Sequence, residues 1–280
     1  MGKLIKWDEK VSRDYRERII VDPDHPILAF KANRDRYTLP NQPLYKGLSY
    51  LGSQNSEDAL TWNVFRSLQM AGNLNILTDQ LKIGQPRGLL LWTLAPDITG
   101  DNAGLQYAAG ALIRECDGIL RGQISEPDVI ILGTTGIAVI ECKLSEPDKA
   151  PPHLWEGVVD RVGMRLPIYN EKNPGLLRSG IGNKEVAPVY QLVRVAFYAV
   201  ELGKYYGLEP IVLSLANSRN WFLKAGKRRD SAADLWDVFS QILGGSRPHC
   251  QNIFWQDLSK WIAEISMETL SDYLSSHTCL

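Results

Sequence analysis

Residues 126–143 read EPDVIILGTTGIAVIECK, and this stretch decides the fold. Two short apolar runs, 129–132 and 137–140, flank the four residues Gly-Thr-Thr-Gly. Both runs are rich in β-branched residues and end at turn residues, so they predict two buried strands joined by a tight turn. The stretch therefore predicts an antiparallel hairpin whose loop lies at 134–135.

The register of this hairpin brings charged side chains together at its open end. With the loop at 134–135, Asp128 lies directly opposite Glu141, and such residues hold their Cβ atoms roughly 4.5–5.5 Å apart. Side chains alternate along a strand, so Lys143 shares a face with Glu141 while Cys142 points away. Two acids and one ammonium are thus predicted on one face. The carboxylates repel each other unless a cation lies between them.

Carboxylate oxygens in this arrangement suit a hard divalent cation. Mg²⁺ takes one or two carboxylates and keeps several waters, and Mn²⁺ can stand in its place. A bound ion lowers the pKa of a water and stabilises charge on a phosphoryl oxygen. Lys143 could orient or deprotonate the attacking water, or neutralise the phosphate. The pattern therefore predicts metal-assisted hydrolysis of a phosphodiester.

The same residues carry a family resemblance. Pro127-Asp128, twelve further residues and then Glu141-Cys142-Lys143 resemble the signature of the PD-(D/E)xK nuclease superfamily, which includes restriction endonucleases and many repair nucleases. The resemblance implies that Asp128 and Glu141 are metal ligands and that Lys143 is the catalytic lysine. It also implies an α/β fold with a restriction-endonuclease-like core, a central mixed β-sheet flanked by helices.

Residues 55–70 predict a helix with two acids, Glu57 and Asp58, in its first turn. Acids at this end of a helix suit the helix dipole, so capping accounts for Glu57 without any chemistry. In the nucleases that the chain resembles, however, a glutamate on a helix before the sheet often completes the metal site. Glu57 is the candidate for that ligand, and the hypothesis requires it to lie near Asp128 and Glu141.

The clearest long helix is predicted at 189–206, between Pro188 and Gly207. A strand is predicted directly after it, at 210–216. A strand, a helix and a second strand make a crossover unit, which pairs its two strands in parallel. Together with the antiparallel hairpin at 126–143, this predicts a mixed sheet.

One polar stripe of this helix contains Gln191, Arg194 and Tyr198, which follow the i, i+3, i+7 spacing. Related nucleases often carry a glutamine or a basic residue on this helix, facing the site. Gln191 is the matching position and is a candidate catalytic residue. The chain departs from one branch of the family at Val195, where that branch has a tyrosine. A polar helix face is the alternative explanation.

A second pair of acids, Glu115 and Asp117, offers a rival or supplementary metal site. Both lie on one face of a strand predicted at 112–120. Pairing with basic neighbours or solvation is the alternative explanation for them. The other predicted elements are short helices at 14–18, 74–81 and 155–164, a strand or buried helix turn at 89–94, a polar loop at 96–104, an amphipathic helix at 230–243, a strand or turn from 253, and a final helix from Asp257 to 275.

The domain organisation is predicted from composition. Residues 1–50 are polar and form an N-terminal arm, which either wraps on the core or contacts DNA or a second subunit. Residues 51–280 form one nuclease-like domain. Prolines and glycines punctuate 144–187, which predicts an irregular insertion that either lines a substrate groove or is a surface excursion.

Composition limits the classes of function. No run approaches the ~20 apolar residues of a membrane span, and the four cysteines are scattered without the spacing of a zinc site or a disulfide framework. These features predict a cytoplasmic protein. The net charge of −1 counts against tight constitutive binding of nucleic acid. A local basic patch is predicted from Arg219, Lys224, Lys227, Arg228 and Arg229.

The partner predicted by the resemblance is DNA, with RNA also open, and no membrane. Double-strand cutting usually needs two active sites, so a homodimer is compatible with it. One alternative is a catalytically inactive nucleic-acid-binding or assembly protein that retains the fold. Another is a small-molecule hydrolase or structural protein in which the ends of the hairpin are merely solvated.

Overall fold

A computed structural model of the protein describes most of its residues: 11–35, 47–53, 56–116, 126–144, 155–218, 223–224, 227–228 and 232–278. The strands are β1 (Pro86–Leu91), β2 (Val129–Gly133), β3 (Gly136–Lys143), β4 (Glu209–Ala216), β5 (Leu223–Lys224), β6 (Lys227–Arg228) and β7 (His249–Phe254). The α-helices are α1 (Pro26–Arg34), α2 (Glu57–Met70), α3 (Asn75–Leu81), α4 (Asp101–Cys116), α5 (Trp155–Lys172), α6 (Asn183–Val186), α7 (Tyr190–Tyr206), α8 (Ala232–Ile242), α9 (Trp255–Glu264) and α10 (Glu268–Thr278). Helices flank both faces of a five-stranded mixed sheet of order β1-β2-β3-β4-β7, so the fold is α/β.

The hairpin predicted at 126–143 is confirmed, together with its register. β2 and β3 pair in antiparallel fashion, with Val129 opposite Ile140. Extending that ladder by one residue places Asp128 opposite Glu141, as the sequence predicts. β1 pairs with the other edge of β2, also in antiparallel fashion, so three strands form a meander.

The mixed character of the sheet comes from the crossover through α7. β4 pairs in parallel with β3, from Gly136 opposite Glu209 to Lys143 opposite Ala216, and β7 pairs in parallel with β4. α7 ends at Gly207, whose φ of 64° is a left-handed conformation that glycine adopts without steric cost. The predicted long helix and the parallel strand after it are therefore confirmed.

Each face of the sheet buries its own apolar core. Strands that are covered on both sides read as continuous apolar runs, which explains the sequences of β2 and β3. Ile130 and Val139 belong to the core beneath α4 and α7, whereas Ile131 and Ala138 belong to the core beneath α2 and α9. Full burial of a side chain such as isoleucine stabilises the fold by about 1.5–3 kcal/mol. Because side chains alternate, the charged end of the hairpin belongs to the α7 face.

The strand predicted at 112–120 is wrong, and the polar loop predicted at 96–104 is shorter than expected. Residues 101–116 form α4 instead, and 117–120 lie outside the described residues. The buried stripe of α4 consists of Leu105, Ala108, Ala109 and Ile113. These residues recur every three or four positions, which is a helical spacing. Most of them precede residue 112, so the predicted strand at 112–120 does not contain the pattern.

Two segments predicted as largely irregular contain helices. α1 lies within 1–50, and its Leu28 is fully buried in the core beneath α2. Within 144–187, α5 runs past the predicted end at 164 and continues through Pro167. An internal proline removes one helix hydrogen bond, and buried residues on both sides of this proline offset that loss.

The single final helix predicted from Asp257 to 275 is two helices, α9 and α10. The chain turns between them at Ser266, whose φ is 58°. Asp257 lies inside the first turn of α9 rather than capping it, and Phe254 is the N-cap residue. A positive φ at a serine is not visible in apolar periodicity, so the sequence does not reveal this break.

None of the described helices is long and apolar enough to cross a membrane. A membrane-spanning helix needs about 20 consecutive apolar residues. The longest described helix, α5, has 18 residues and carries several charges.

Candidate active site

The two opposed acids of the hairpin lie where the register predicts. Glu141, on β3, is 2 % exposed, and Asp128 immediately precedes β2. The amide of Cys142 donates a hydrogen bond of 2.7 Å to Asp128 Oδ2, which fixes that carboxyl group against the neighbouring strand. Burial and then the charge of Glu141 raise the pKa of Asp128 well above its ordinary value, and Lys143 acts in the opposite direction.

Lys143 joins two of the predicted site residues. Its Nζ lies 3.2 Å from Glu141 Oε1 and 3.5 Å from Glu57 Oε2. The side chain of Lys143 is 13 % exposed, so its ammonium is largely shielded from bulk water. A single ammonium therefore lies within 3.5 Å of an acid from β3 and of an acid from α2.

Local capping explains how Glu57 reaches this position. Glu57 is the first residue of α2, and Ser56 caps the helix by accepting a hydrogen bond from the Ala59 amide. The other oxygen of Glu57, Oε1, accepts a hydrogen bond of 2.9 Å from the amide of Leu144, directly after β3. The start of α2 is thus tied to the end of the hairpin, where Glu57 contacts Lys143 and the Leu144 amide. Its role as a metal ligand stays a prediction.

A fifth charged residue of the site comes from α7. Arg194 Nη2 lies 3.7 Å from Glu141 Oε2, and both side chains are 2 % exposed. Burial by itself lowers the pKa of Arg194, but Glu141 and the neighbouring tyrosines at 169, 190 and 198 together raise it above its ordinary value. Glu141 is consequently flanked by two cations, Lys143 on one oxygen and Arg194 on the other.

The sequence places Arg194 on the polar stripe of α7 but gives the functional role to Gln191. Gln191 is half-buried one turn earlier, whereas Arg194 is the α7 residue that contacts Glu141. A signal for Arg194 does exist, because it is the only charged residue between 189 and 200. A lone charge in an apolar helix needs a buried partner, and Glu141 supplies one.

Two buried polar atoms of the site have no hydrogen-bond partner among the described residues: Glu141 Oε2 and Arg194 Nε. Glu141 Oε2 has the charge of Arg194 at 3.7 Å but accepts no hydrogen bond among the described residues, so it retains the capacity to accept one or to ligate a cation. In the described part of the chain, no group of three or more His, Cys, Asp or Glu side chains is arranged to hold a metal ion. The carboxylate oxygens of Asp128 and Glu141 are donors of the kind that Mg²⁺ takes, with waters as its remaining ligands.

Cys142 points to the opposite face of β3, as the alternation predicts. Its thiol is 1 % exposed, and burial raises its pKa well above the ordinary value. A thiol held in its neutral form is a poor nucleophile and a poor metal ligand. Cys142 is therefore a core residue rather than part of the chemistry.

The rival acid pair does not form the predicted strand face. Glu115 lies near the end of α4, where it is largely exposed and pairs with Lys172 of α5. Asp117 lies outside the described residues. Glu115 thus has the surface ion pair that was its alternative explanation.

Only part of the predicted basic patch falls within the description. The backbones of Lys224, Lys227 and Arg228 lie on the two paired strands β5 and β6. Arg219 and Arg229 lie outside the described residues. The patch remains a prediction of the sequence.

Comparison with known proteins returns no match. No protein-family model matches the sequence, and no curated protein or solved structure matches the chain at a significant level. The resemblance to the PD-(D/E)xK superfamily therefore rests on the residues of the hairpin. Function has to be argued from the chemistry of the site.

Proposed function

We propose that the protein is a nuclease that uses a divalent metal ion to hydrolyse phosphodiester bonds, with DNA as its substrate. One observation carries the proposal: Lys143 Nζ lies 3.2 Å from Glu141 Oε1 and 3.5 Å from Glu57 Oε2. The three side chains meet at the end of the hairpin where Asp128 opposes Glu141. Carboxylates that can hold a metal ion, with a lysine beside them, suit metal-assisted hydrolysis of a phosphodiester.

The proposal includes a restriction-endonuclease-like core. Its support is the order of the strands, an antiparallel meander of β1, β2 and β3 followed by β4 parallel to β3. In this arrangement the acids lie where β2 begins and β3 ends. The crossover helix α7 then covers their face of the sheet.

Asp128 and Glu141 are the residues that would hold the ion, with Glu57 as a third acid. Mg²⁺, or Mn²⁺ in its place, would supply positive charge for a phosphoryl oxygen and lower the pKa of a bound water. The Cys142 amide holds one oxygen of Asp128 at 2.7 Å, which orients the other. The Leu144 amide does the same for Glu57.

Lys143 is the residue that would act on the water or the phosphate. Its Nζ is held between carboxylates of β3 and α2. From there it could orient the attacking water, deprotonate it or neutralise the phosphate. Arg194 supports this role, because it holds the far oxygen of Glu141 and leaves Oε1 directed at Lys143. Gln191 remains a candidate for contact with substrate from the same helix.

The residues of the site account for hydrolysis of a phosphodiester, but they do not determine which nucleotide sequence is recognised. Restriction or defence is one setting for such an enzyme, and repair or recombination is another. A homodimer would bring together the two active sites that double-strand cutting needs. The biological setting and the homodimer are separate parts of the proposal, and the cleavage experiment does not test them.

The experiment that tests the proposal is cleavage by the purified full chain. Supercoiled plasmid, single-stranded DNA and RNA are incubated with Mg²⁺, Mn²⁺ or EDTA. We expect metal-dependent cutting of DNA, and we expect Lys143→Ala to slow it by about 100-fold or more. Lys260→Ala is the matched control, because Lys260 is exposed and pairs only with Asp257 on its own helix in the described structure.

One result would sink the proposal. If the wild-type chain cuts none of the three nucleic acids with either metal and calorimetry shows no binding of Mg²⁺ or Mn²⁺, the protein is not a metal-dependent nuclease. Cutting that is equal in wild type and Lys143→Ala would point to a contaminating enzyme or to another site.

The second candidate function is a non-catalytic nucleic-acid-binding or assembly protein. The observation that favours it is the shielding of Glu141, which is 2 % exposed and contacts both Lys143 and Arg194. A carboxylate neutralised in this way can be purely structural. Gel-shift binding of DNA that is the same in EDTA and in Mg²⁺, without cutting, would support this candidate.

A further inference from the structure

A cavity of about 560 Å³ lies at the end of the sheet opposite the candidate active site. Its wall includes Glu209 and His249, the first residues of β4 and β7, and residues of α8. Lys143 of the candidate active site pairs with Ala216, the last residue of β4. A strand rises about 3.3 Å per residue, so about 23 Å separates the two ends of β4. We call this separate space the α8 cavity.

One stripe of α8 supplies an aromatic face to the cavity. Leu235 and Phe239 of this helix are buried in the core. The neighbouring stripe lines the cavity with Trp236, Ser240 and Leu243, which follow the i, i+4, i+7 spacing. The ring of Trp236 lies 5.3 Å from that of Phe239, so the indole is held against the core. A ring held in this way offers a flat surface on which another ring can stack.

The chain that leaves α8 is fixed by backbone hydrogen bonds. The Gly244 amide donates to the carbonyl of Leu176 at 2.7 Å, and the Ser246 amide donates to the carbonyl of Gly175 at 3.0 Å. These bonds hold the turn that leads into β7. The wall of the cavity on this side is therefore part of the packed fold.

Arg247, directly after this turn, supplies a positive charge. It is exposed and forms no ion pair with any residue that the structure describes. Burial raises the pKa of the Cys250 thiol to about 12, and the charge of Arg247 acts in the opposite direction. The guanidinium therefore lies near Cys250, which also lines the cavity. A guanidinium without a carboxylate partner can bind an anion such as a phosphate.

Glu209 and Ser240 add polar groups to the same wall. Extending the ladder of β4 and β7 by two residues places Arg247 opposite Glu209, but the described structure contains no ion pair between them. Both charges thus remain available to a ligand. A carboxylate accepts hydrogen bonds from sugar hydroxyls, and the hydroxyl of Ser240 can donate or accept one.

We propose that the α8 cavity is a second binding site and that its ligand is a mononucleotide. The base stacks on Trp236, the phosphate binds Arg247 and the sugar hydroxyls reach Glu209. The volume lies within the roughly 300–1,000 Å³ of small-molecule pockets. The choice of a nucleotide among aromatic anions rests on the proposed function, because a nuclease acts on polymers of these units.

The test is calorimetric titration of the full chain with adenosine monophosphate in EDTA, which keeps metal out of the candidate active site. We expect one nucleotide to bind per chain, and adenosine or inorganic phosphate alone to bind at least about tenfold more weakly. Trp236→Leu should weaken binding of the nucleotide by about tenfold, the size expected for one base stacked on an aromatic ring. Lys260→Gln, a charge loss at an exposed site on α9, is the control and should bind as wild type does.

A second variant keeps the test independent of whether Trp236→Leu folds. Arg247 is exposed, so Arg247→Gln leaves the core intact. It should weaken binding of adenosine monophosphate by about tenfold, because a hydrogen bond to a charged group is lost. Its affinity for adenosine should equal that of wild type, since adenosine has no phosphate for Arg247 to bind.

The outcomes separate this inference from the proposed function. If wild type does not bind adenosine monophosphate, or if Arg247→Gln binds it equally well, the cavity is only a solvated cleft and the inference is refuted. Affinity that falls in Lys143→Ala but not in Arg247→Gln would place the nucleotide in the candidate active site and also refute it. If the expected losses occur in a chain that cuts no nucleic acid, the α8 cavity stands as a nucleotide site while the proposed nuclease function falls.

Discussion

Arg194 Nη2 lies 3.7 Å from Glu141 Oε2, and the two side chains are equally buried at 2 % exposure. A helix on one layer and a strand on the next thus share an ion pair in the middle of the protein. Breaking such a pair leaves one buried charge without its partner, which costs more than the intact pair contributes. The pair therefore gives the first prediction on stability.

Arg194→Met should destabilise the fold by about 3 kcal/mol, because Glu141 is left with Lys143 alone. Arg194→Met combined with Glu141→Gln should recover a large part of that loss, because no unpaired charge remains. The measurement is urea unfolding of both variants and of Glu141→Gln, analysed as a double-mutant cycle. Additive losses in the cycle would mean that Arg194 and Glu141 do not interact.

Asp128→Asn should stabilise the protein while abolishing its proposed activity. Burial and the charge of Glu141 raise the pKa of Asp128 in the folded state. The contribution of the Asp128 carboxyl group to the free energy of unfolding is therefore present at low pH. It is lost as pH rises through the raised pKa. Asparagine removes the charge but can still accept the hydrogen bond from the Cys142 amide.

At neutral pH the free energy of unfolding of Asp128→Asn should exceed that of wild type by at least about 1 kcal/mol. The difference should shrink as pH falls towards the ordinary pKa of an aspartate. Denaturant unfolding at several pH values measures this difference. Asp101→Asn is the control, since Asp101 forms an exposed pair with Arg87 and should change stability little. An Asp128→Asn chain that is less stable than wild type at neutral pH would contradict the assignment.

Glu57 has two roles that a pair of substitutions can separate. Its Oε1 accepts a hydrogen bond from Leu144 N, and its Oε2 lies near Lys143. Glu57→Gln can keep the first contact and removes the charge, so stability should change by less than about 0.5 kcal/mol. Glu57→Ala removes both and should cost about 1 kcal/mol.

The affinity for Mg²⁺ shows whether Glu57 is a metal ligand or only a structural contact between α2 and the end of β3. If Glu57 is a ligand, both substitutions should weaken calorimetric Mg²⁺ affinity by about tenfold or more. If Glu57→Gln binds Mg²⁺ as tightly as wild type, the residue only ties α2 to the end of β3.

A pH dependence unrelated to the site is expected at the end of the chain. Burial lowers the pKa of His277, on α10, below its ordinary value of 6.5. The neutral imidazole is favoured in the folded state, so this stability is present above the ordinary pKa and is lost as pH falls below it. His277→Gln should flatten the decrease in melting temperature between about pH 7 and about pH 5.

The effect of His277 should be below about 1 kcal/mol, because the ring is only partly buried. Melting temperatures of wild type and His277→Gln across that pH interval provide the comparison. Parallel curves would show that other groups govern the acid sensitivity of the fold.

Local patterns were enough to predict the hairpin, α2 and α7. The β-branched runs of β2 and β3 and the turn between them depend on neighbours within a few residues, and so does the Ser56 cap of α2. The opposition of Asp128 and Glu141 follows from the same local register. These features need no knowledge of the rest of the molecule, because the physics that produces them acts over short stretches of chain.

The failures share a different cause. Residues 112–116 are apolar enough for a strand, but the stripe of α4 that packs on the sheet begins at Leu105 and is visible only over a longer span. In the same way, Gln191 and Arg194 are equivalent in periodicity. The way in which α7 packs on β3 decides that Arg194, and not Gln191, contacts Glu141.

The sequence by itself determined the mixed sheet, the hairpin register and the identity of the three residues Asp128, Glu141 and Lys143 that end it. Tertiary structure alone decided that Glu57 contacts Lys143, that Arg194 contacts Glu141 and that Lys31 of α1 contacts Asp58. Contacts between residues far apart in the chain depend on how helices pack on the sheet. Periodicity reports which face of an element is buried, but it does not report which partner that face meets.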